Sequence, residues 1–256
     1  MTLYTRSKDG TKIAYKVTGE GPAIILLHGG GDTKEVWFDS GWVDKLKEFK
    51  IIAIDARGSG ESDKPNDPDS YWIADLRWDI YSVADACNVD DFSLLGFSFG
   101  GAIAKSIAAK SRRVNKAVII GHTFGASAYG QFVEEIPVIR ERWKFLAEEQ
   151  HHSVLDYGSL SKLERFWVDN YHLPSWIHII TQMANWEVVE PGDIKCPLLV
   201  VIGSGDSDSV KQSEKYLKDI KEQENIYLEI IYGLDQLEQF SKIDKVWPRV
   251  ERFLKS

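Results

Sequence analysis

The sequence predicts an α/β protein: a mostly parallel eight-stranded sheet flanked by helices, with a helical cap inserted late in the order. Three features predict it. Short, continuous apolar runs recur along the chain and read as strands buried on both faces. Stretches with apolar residues three and four apart separate most of them, as crossovers between parallel strands require. Between residues 126 and 195 the strand runs stop and amphipathic segments take over.

The elements follow in order. Leu3-Tyr4-Thr5 and Lys12 to Val17 read as a hairpin turning at Asp9-Gly10. The buried runs are Ala23 to His28, Ile51 to Asp55, Phe92 to Gly96, Ala117 to Gly121 and Leu198 to Gly203. Ile226 to Tyr232 alternates with polar residues and reads as an edge strand. Trp72 to Cys87 and Ala102 to Lys110 carry helical spacing. Val246 to Leu254 reads as a terminal helix starting near Pro248, because proline is tolerated in a first turn. Within 126–195 the helical segments are Phe132 to Gln150, Ser161 to Tyr171 and Ser175 to Trp186. A structureless loop of that length is implausible, so a helical cap is expected there, with 1–125 and 196–256 forming the core.

Bulk properties exclude several function classes. At 256 residues, 43% hydrophobic and 27% charged, the chain can bury a sizeable core and is no disordered chain. A net charge of -8 argues against nucleic acid or an anionic membrane as a partner. No apolar run approaches the roughly 20 residues of a membrane span. Met1 to Lys8 has no signal-peptide core, which points to a cytoplasmic protein. Cys87 and Cys196 give neither a disulfide framework nor a metal-ligand cluster, so buried free thiols are expected and no metal or cofactor is implied. Trp143, Trp167, Trp176 and Trp186 concentrate in the cap segment, where they either pack its helices or line a cavity for an apolar ligand.

The strongest chemical signal is Gly96-Phe97-Ser98-Phe99-Gly100, where a buried strand runs straight into a helix. A serine at so sharp a turn sits in strained backbone, and flanking glycines relieve the crowding. The Phe99 N–H, at the helix start, then faces any negative charge that develops at Ser98. A second signal is His28-Gly29-Gly30-Gly31, directly after a buried strand, where glycines allow close backbone approach to a ligand. His28 reads as an anchor for that loop. A third is Asp55 to Ser62, where Asp55 and Arg57 can satisfy buried turn groups.

These three blocks, in this order and spacing, resemble the α/β-hydrolase superfamily, in its capped esterase, epoxide-hydrolase and iminopeptidase-like branch. The resemblance covers nearly the whole chain. It implies that Ser98 is the nucleophile and that Gly30, with Gly31 as alternative, donates the second oxyanion N–H beside Phe99. It places the acid at Asp206 in Gly203-Ser204-Gly205-Asp206, with Asp208 as alternative. A serine at this turn argues against the carboxylate chemistry of epoxide hydrolases.

The resemblance also implies a histidine base after the last strand. The residue there is Gln236, and no histidine follows His178. Glutamine matches histidine in volume and can donate a hydrogen bond, but it cannot hold a proton near neutral pH. Three readings stay open. The chain is a serine hydrolase of carboxylic esters, lactones or thioesters, disabled by a His-to-Gln change. Or it is a non-catalytic binding protein for small molecules on the same scaffold. Or another base serves, with His122 as candidate because it follows the strand beside Ser98. Gly31, His122, Trp143, Trp167 and Trp186 are the candidate pocket residues, and a small-molecule acyl compound is the expected ligand.

Overall fold

The computed structural model describes residues 1–256. Its eight strands are β1 (Leu3–Arg6), β2 (Lys12–Thr18), β3 (Ala23–Leu27), β4 (Lys50–Ile54), β5 (Phe92–Phe97), β6 (Val114–Ile120), β7 (Leu198–Gly203) and β8 (Ile226–Ile231). They form one sheet in the order β1-β2-β4-β3-β5-β6-β7-β8. β1 and β2 pair antiparallel through the predicted hairpin, and β2 pairs antiparallel with β4. Every other pairing is parallel. This is the eight-stranded, mostly parallel α/β-hydrolase arrangement that the sequence predicts.

The continuous apolar runs have a direct cause. Along β3, Ile25 and Leu27 join one hydrophobic cluster and Ile24 and Leu26 join another. Successive side chains point to opposite faces, and both faces are dry. The first face carries the helices Ile73–Ala86 and Phe99–Lys110. The second is covered by the short turns Val36–Asp39 and Trp42–Lys45 and the terminal helix Ile243–Lys255. No helix is long and apolar enough to cross a membrane.

Two expectations need correction. The terminal helix does not start near Pro248; it starts at Ile243 and carries the proline inside. The buried stripe Ile243, Val246, Val250, Phe253 and Leu254 holds the extra turn against the sheet, and packing outweighs the lost backbone bond. Cys196 is a buried free thiol as expected, but Cys87 is only half-buried, at the C-terminal end of the helix Ile73–Ala86.

Between β6 and β7 the chain forms the helices Gly130–His151, Lys162–Asn170 and Leu173–Met183 and adds no strand to the sheet. The root of this insertion is tied twice. Gly125 and Val189 exchange backbone hydrogen bonds of 2.8 and 3.2 Å. The buried Lys105 ammonium, reaching across from the helix Phe99–Lys110, donates to the carbonyls of Thr123 and Gly125 at 2.9 and 2.8 Å.

Candidate active site

Ser98 stands where β5 meets the helix Phe99–Lys110, with φ 50° and ψ -110°. That backbone is costly for any residue with a Cβ and persists only where its surroundings impose it. They do so here. The Ser98 N–H donates to Ile120 O at 2.9 Å, locking the turn to the end of β6. Gly100 passes so close to β3 that a methyl on it would collide with the carbonyl oxygens of Leu27 and His28. A methyl on Gly96 would collide with the backbone of Gly100 in the same way. The two glycines therefore allow a strand and a helix to meet without space between them, leaving Ser98 half-buried at the tip.

β3 pairs with β5 so that Leu27 lies opposite Gly96, which brings the loop after β3 alongside this turn. His28 fixes that loop as predicted. Its Nε2 accepts from Ala56 N–H at 3.1 Å, so Nδ1 carries the proton and donates to Gly29 O at 2.8 Å. Below the loop, Asp55 accepts from Lys34 N–H and Lys34 Nζ, both at 2.7 Å, and from Glu61 N–H at 2.8 Å. Arg57 grips both oxygens of Asp79, at 2.7 and 2.5 Å, and Asp9 at 2.8 Å. The Asp55 block is thus structural, as the sequence suggests. The Gly30 and Phe99 N–H groups have no hydrogen bond to the protein, one on the loop after β3 and the other directly after the serine. The ring of Trp176, from the insertion, packs 4.9 Å from that of Phe99 and also lies over Gly30.

The opposite side is built differently. Asp206 follows β7 and caps the helix Ser207–Glu214, its Oδ1 accepting from Ser209 N–H at 3.2 Å. Gln236 stands on the exposed loop after β8, and its Nε2 donates to Ser98 Oγ at 3.4 Å. Gln236 makes no hydrogen bond to Asp206. That carboxylate instead accepts from Gln239 Nε2 at 3.2 Å. Gln239 is 0% exposed, and its Oε1 has no partner. Sequence reasoning missed it; its one signal is a position three residues past Gln236, one helical turn on. Asp208, the alternative acid, accepts from Gln131 N–H at 2.8 Å and so pins the start of the helix Gly130–His151.

The remaining candidates fall elsewhere. His122 is buried against Tyr129, ring centroids 5.3 Å apart, and its Nε2 has no partner. It makes no hydrogen bond to Ser98. Burial, with Lys105 nearby, holds its pKa well below the usual histidine range, so the ring resists protonation. Trp143 packs against Trp167 at 5.7 Å, and Trp186 donates to Tyr71 O at 3.0 Å while its ring lies 6.0 Å from Phe99. Gly31 sits directly beneath the ring of Tyr171. An open groove of about 290 Å³ beside Asp206 and Gln236 is lined by Gly205 to Asp208 and Asp235 to Leu237, with no tryptophan in its walls. No cluster of side chains has the makings of a metal site.

The comparisons with known proteins agree with this architecture. A family model described as the alpha/beta hydrolase fold matches residues 22–156. Epoxide hydrolase 4 of Mus musculus is 38% identical over 112 residues, covering 41% of this chain and 30% of that protein. The chain thus spans less than a third of the length of the curated relatives it matches first. Among solved structures, an esterase from Exiguobacterium antarcticum superposes with TM-score 0.78 over 100% of both chains at 20% identity. The enol-lactonase from Burkholderia xenovorans LB400 superposes with TM-score 0.74, covering 99% of this chain and 100% of that one, also at 20% identity. At that identity the likeness is one of fold. With the family match spanning more than half of its residues, the chain belongs to the alpha/beta hydrolase fold family.

Proposed function

We propose that this chain carries an acyl-ester hydrolase site in which an amide has replaced the general base. In this reading Ser98 is the nucleophile, the Phe99 and Gly30 N–H groups hold the oxyanion, Asp206 is the acid and Gln236 occupies the place of the base. The helical insertion, 126–195, serves as a cap on the core, 1–125 and 196–256. The substrate class is a carboxylic ester or a close relative, a lactone or thioester. Ser98 Oγ would bond to the carbonyl carbon as its proton passes to solvent water, and the π pair would move onto oxygen. Collapse would expel the leaving group, which takes up a proton, and water would then free the acyl chain as its acid and restore the Ser98 hydroxyl.

One observation carries the reading: the Gln236 amide nitrogen sits 3.4 Å from Ser98 Oγ. A side chain reaches the serine where a base would, yet that nitrogen can only donate. It takes no proton, so the serine stays a weak nucleophile, and turnover falls by about 10⁴ to 10⁶ relative to a complete triad. The same contact favours a second reading. With Gln236 on Ser98 and Gln239 on Asp206, both groups are satisfied by amides, as suits a protein that binds an acyl compound without turning it over.

Restoring the base separates the two. Gln236→His is expected to raise p-nitrophenyl butyrate hydrolysis by about 10⁴-fold. No rise would leave the binding protein. A fluorophosphonate should label Gln236→His and should fail on Gln236→His/Ser98→Ala; labelling that persists would remove Ser98 as nucleophile.

A further inference from the structure

We propose that the Tyr171 hydroxyl is a third donor to the ligand oxygen held by Gly30 and Phe99, supplied by the insertion rather than by the core. The inference rests on the hydrolase reading for its catalytic part, and on geometry alone for its binding part.

The geometry begins with two glycines. A methyl on Gly30 would lie 3.1 Å from the Tyr171 hydroxyl oxygen and 3.3 Å from the Trp176 ring. A methyl on Gly31 would lie 2.7 Å from the Tyr171 ring and 3.1 Å from its oxygen. Tyr171 thus fills the volume that side chains at both positions would take. A Cβ stands about 2.5 Å from its own backbone nitrogen. The Tyr171 oxygen is therefore within about 6 Å of the Gly30 nitrogen, a gap that one acceptor bridges with two hydrogen bonds of about 2.8 Å.

The hydroxyl is also free and held in place. It makes no hydrogen bond to the protein, although tyrosine hydroxyls in packed sites usually find a partner. The ring is fixed edge-on against Trp176 at 4.8 Å and against Phe166 at 5.9 Å, and it tilts against Trp143 at 5.2 Å. Burial and the nearby Asp32 carboxylate both raise its pKa, so it stays protonated and able to donate. Asp32 is itself raised by burial. A donor locked in advance costs little reorganisation when charge develops on the acceptor. The alternative is that Tyr171 packs against the glycines and does nothing more.

Tyr171→Phe distinguishes these, because it keeps every ring contact and removes only the hydroxyl. In the Gln236→His protein, the variant should lose about 10- to 100-fold in kcat toward p-nitrophenyl butyrate, with KM within about twofold. In the protein bearing Gln236, butyrate is titrated and followed by tryptophan fluorescence, since Trp176 touches Tyr171. There Tyr171→Phe should weaken butyrate at least about fivefold. Unchanged kcat together with unchanged butyrate affinity overturns the proposal. If Gln236→His shows no turnover, the hydrolase reading has failed on its own account. The butyrate titration then decides Tyr171 alone: a fivefold loss upholds the donor and an unchanged affinity overturns it.

Discussion

The two halves of the site are held by different means. The Ser98 half is fixed by backbone: Ser98 is bonded to β6, Gly100 is pressed on β3, and His28 clamps the loop with two hydrogen bonds. The half carrying Asp206 and Gln236 depends on side chains beyond the ends of β7 and β8, Gln236 on an exposed loop, with contacts of 3.2 to 3.4 Å. Where backbone makes the site, almost no substitution is tolerated. Where side chains on a loop make it, a residue can change its chemistry and leave the fold intact. On the proposed reading, Gln236 sits in the half that can bear such a change.

The largest effect should come from breaking the rigid half. Gly100→Ala places a methyl into the Leu27 and His28 carbonyls and should cost about 3 kcal/mol or more, lowering Tm by about 10 °C. A melting curve indistinguishable from the parent would show that the half is not rigid. Gln236→His should leave Tm within about 2 °C while changing activity by orders of magnitude, which is the contrast stated as an experiment.

A smaller effect concerns His122, buried just past β6. Its folded pKa lies below the unfolded value near 6.5, so below that pH the unfolded chain binds the extra proton. Stability therefore rises with pH up to about 6.5 and is lost on acidification. His122→Asn should flatten that slope by up to about 1.4 kcal/mol per pH unit between pH 6.5 and the depressed folded value, read by urea unfolding at several pH values. An identical slope would remove His122 as its source. The smallest effect belongs to the exposed loop: Leu237, 72% exposed, should tolerate Leu237→Ser within about 0.5 kcal/mol by the same measurement.

The same division explains what the sequence made legible. Eight strands, the hairpin turn and the Ser98 bend could be read because each depends on local chemistry: apolar runs, Asp9-Gly10, and glycines flanking a serine. The loop glycines and His28 could be read for the same reason. Gln239 and Tyr171 could not, because neither matches a local pattern. Each matters through a neighbour far away in sequence, Asp206 or Gly30. The start of the terminal helix was misread because a stripe of distant contacts outweighed one proline.

The double tie at residues 123–126 and 189 has a mechanical consequence. Gly125 and Val189 join the two ends of the inserted segment to each other, and Lys105, on the helix after Ser98, holds the first of them, so the segment is anchored at its root as a pair of strands rather than a single hinge. A segment tied in this way moves most easily between its ends, in the stretch that carries Tyr171. A ligand entering beneath that stretch would have to displace, and then be met again by, the ring that covers Gly30 and Gly31.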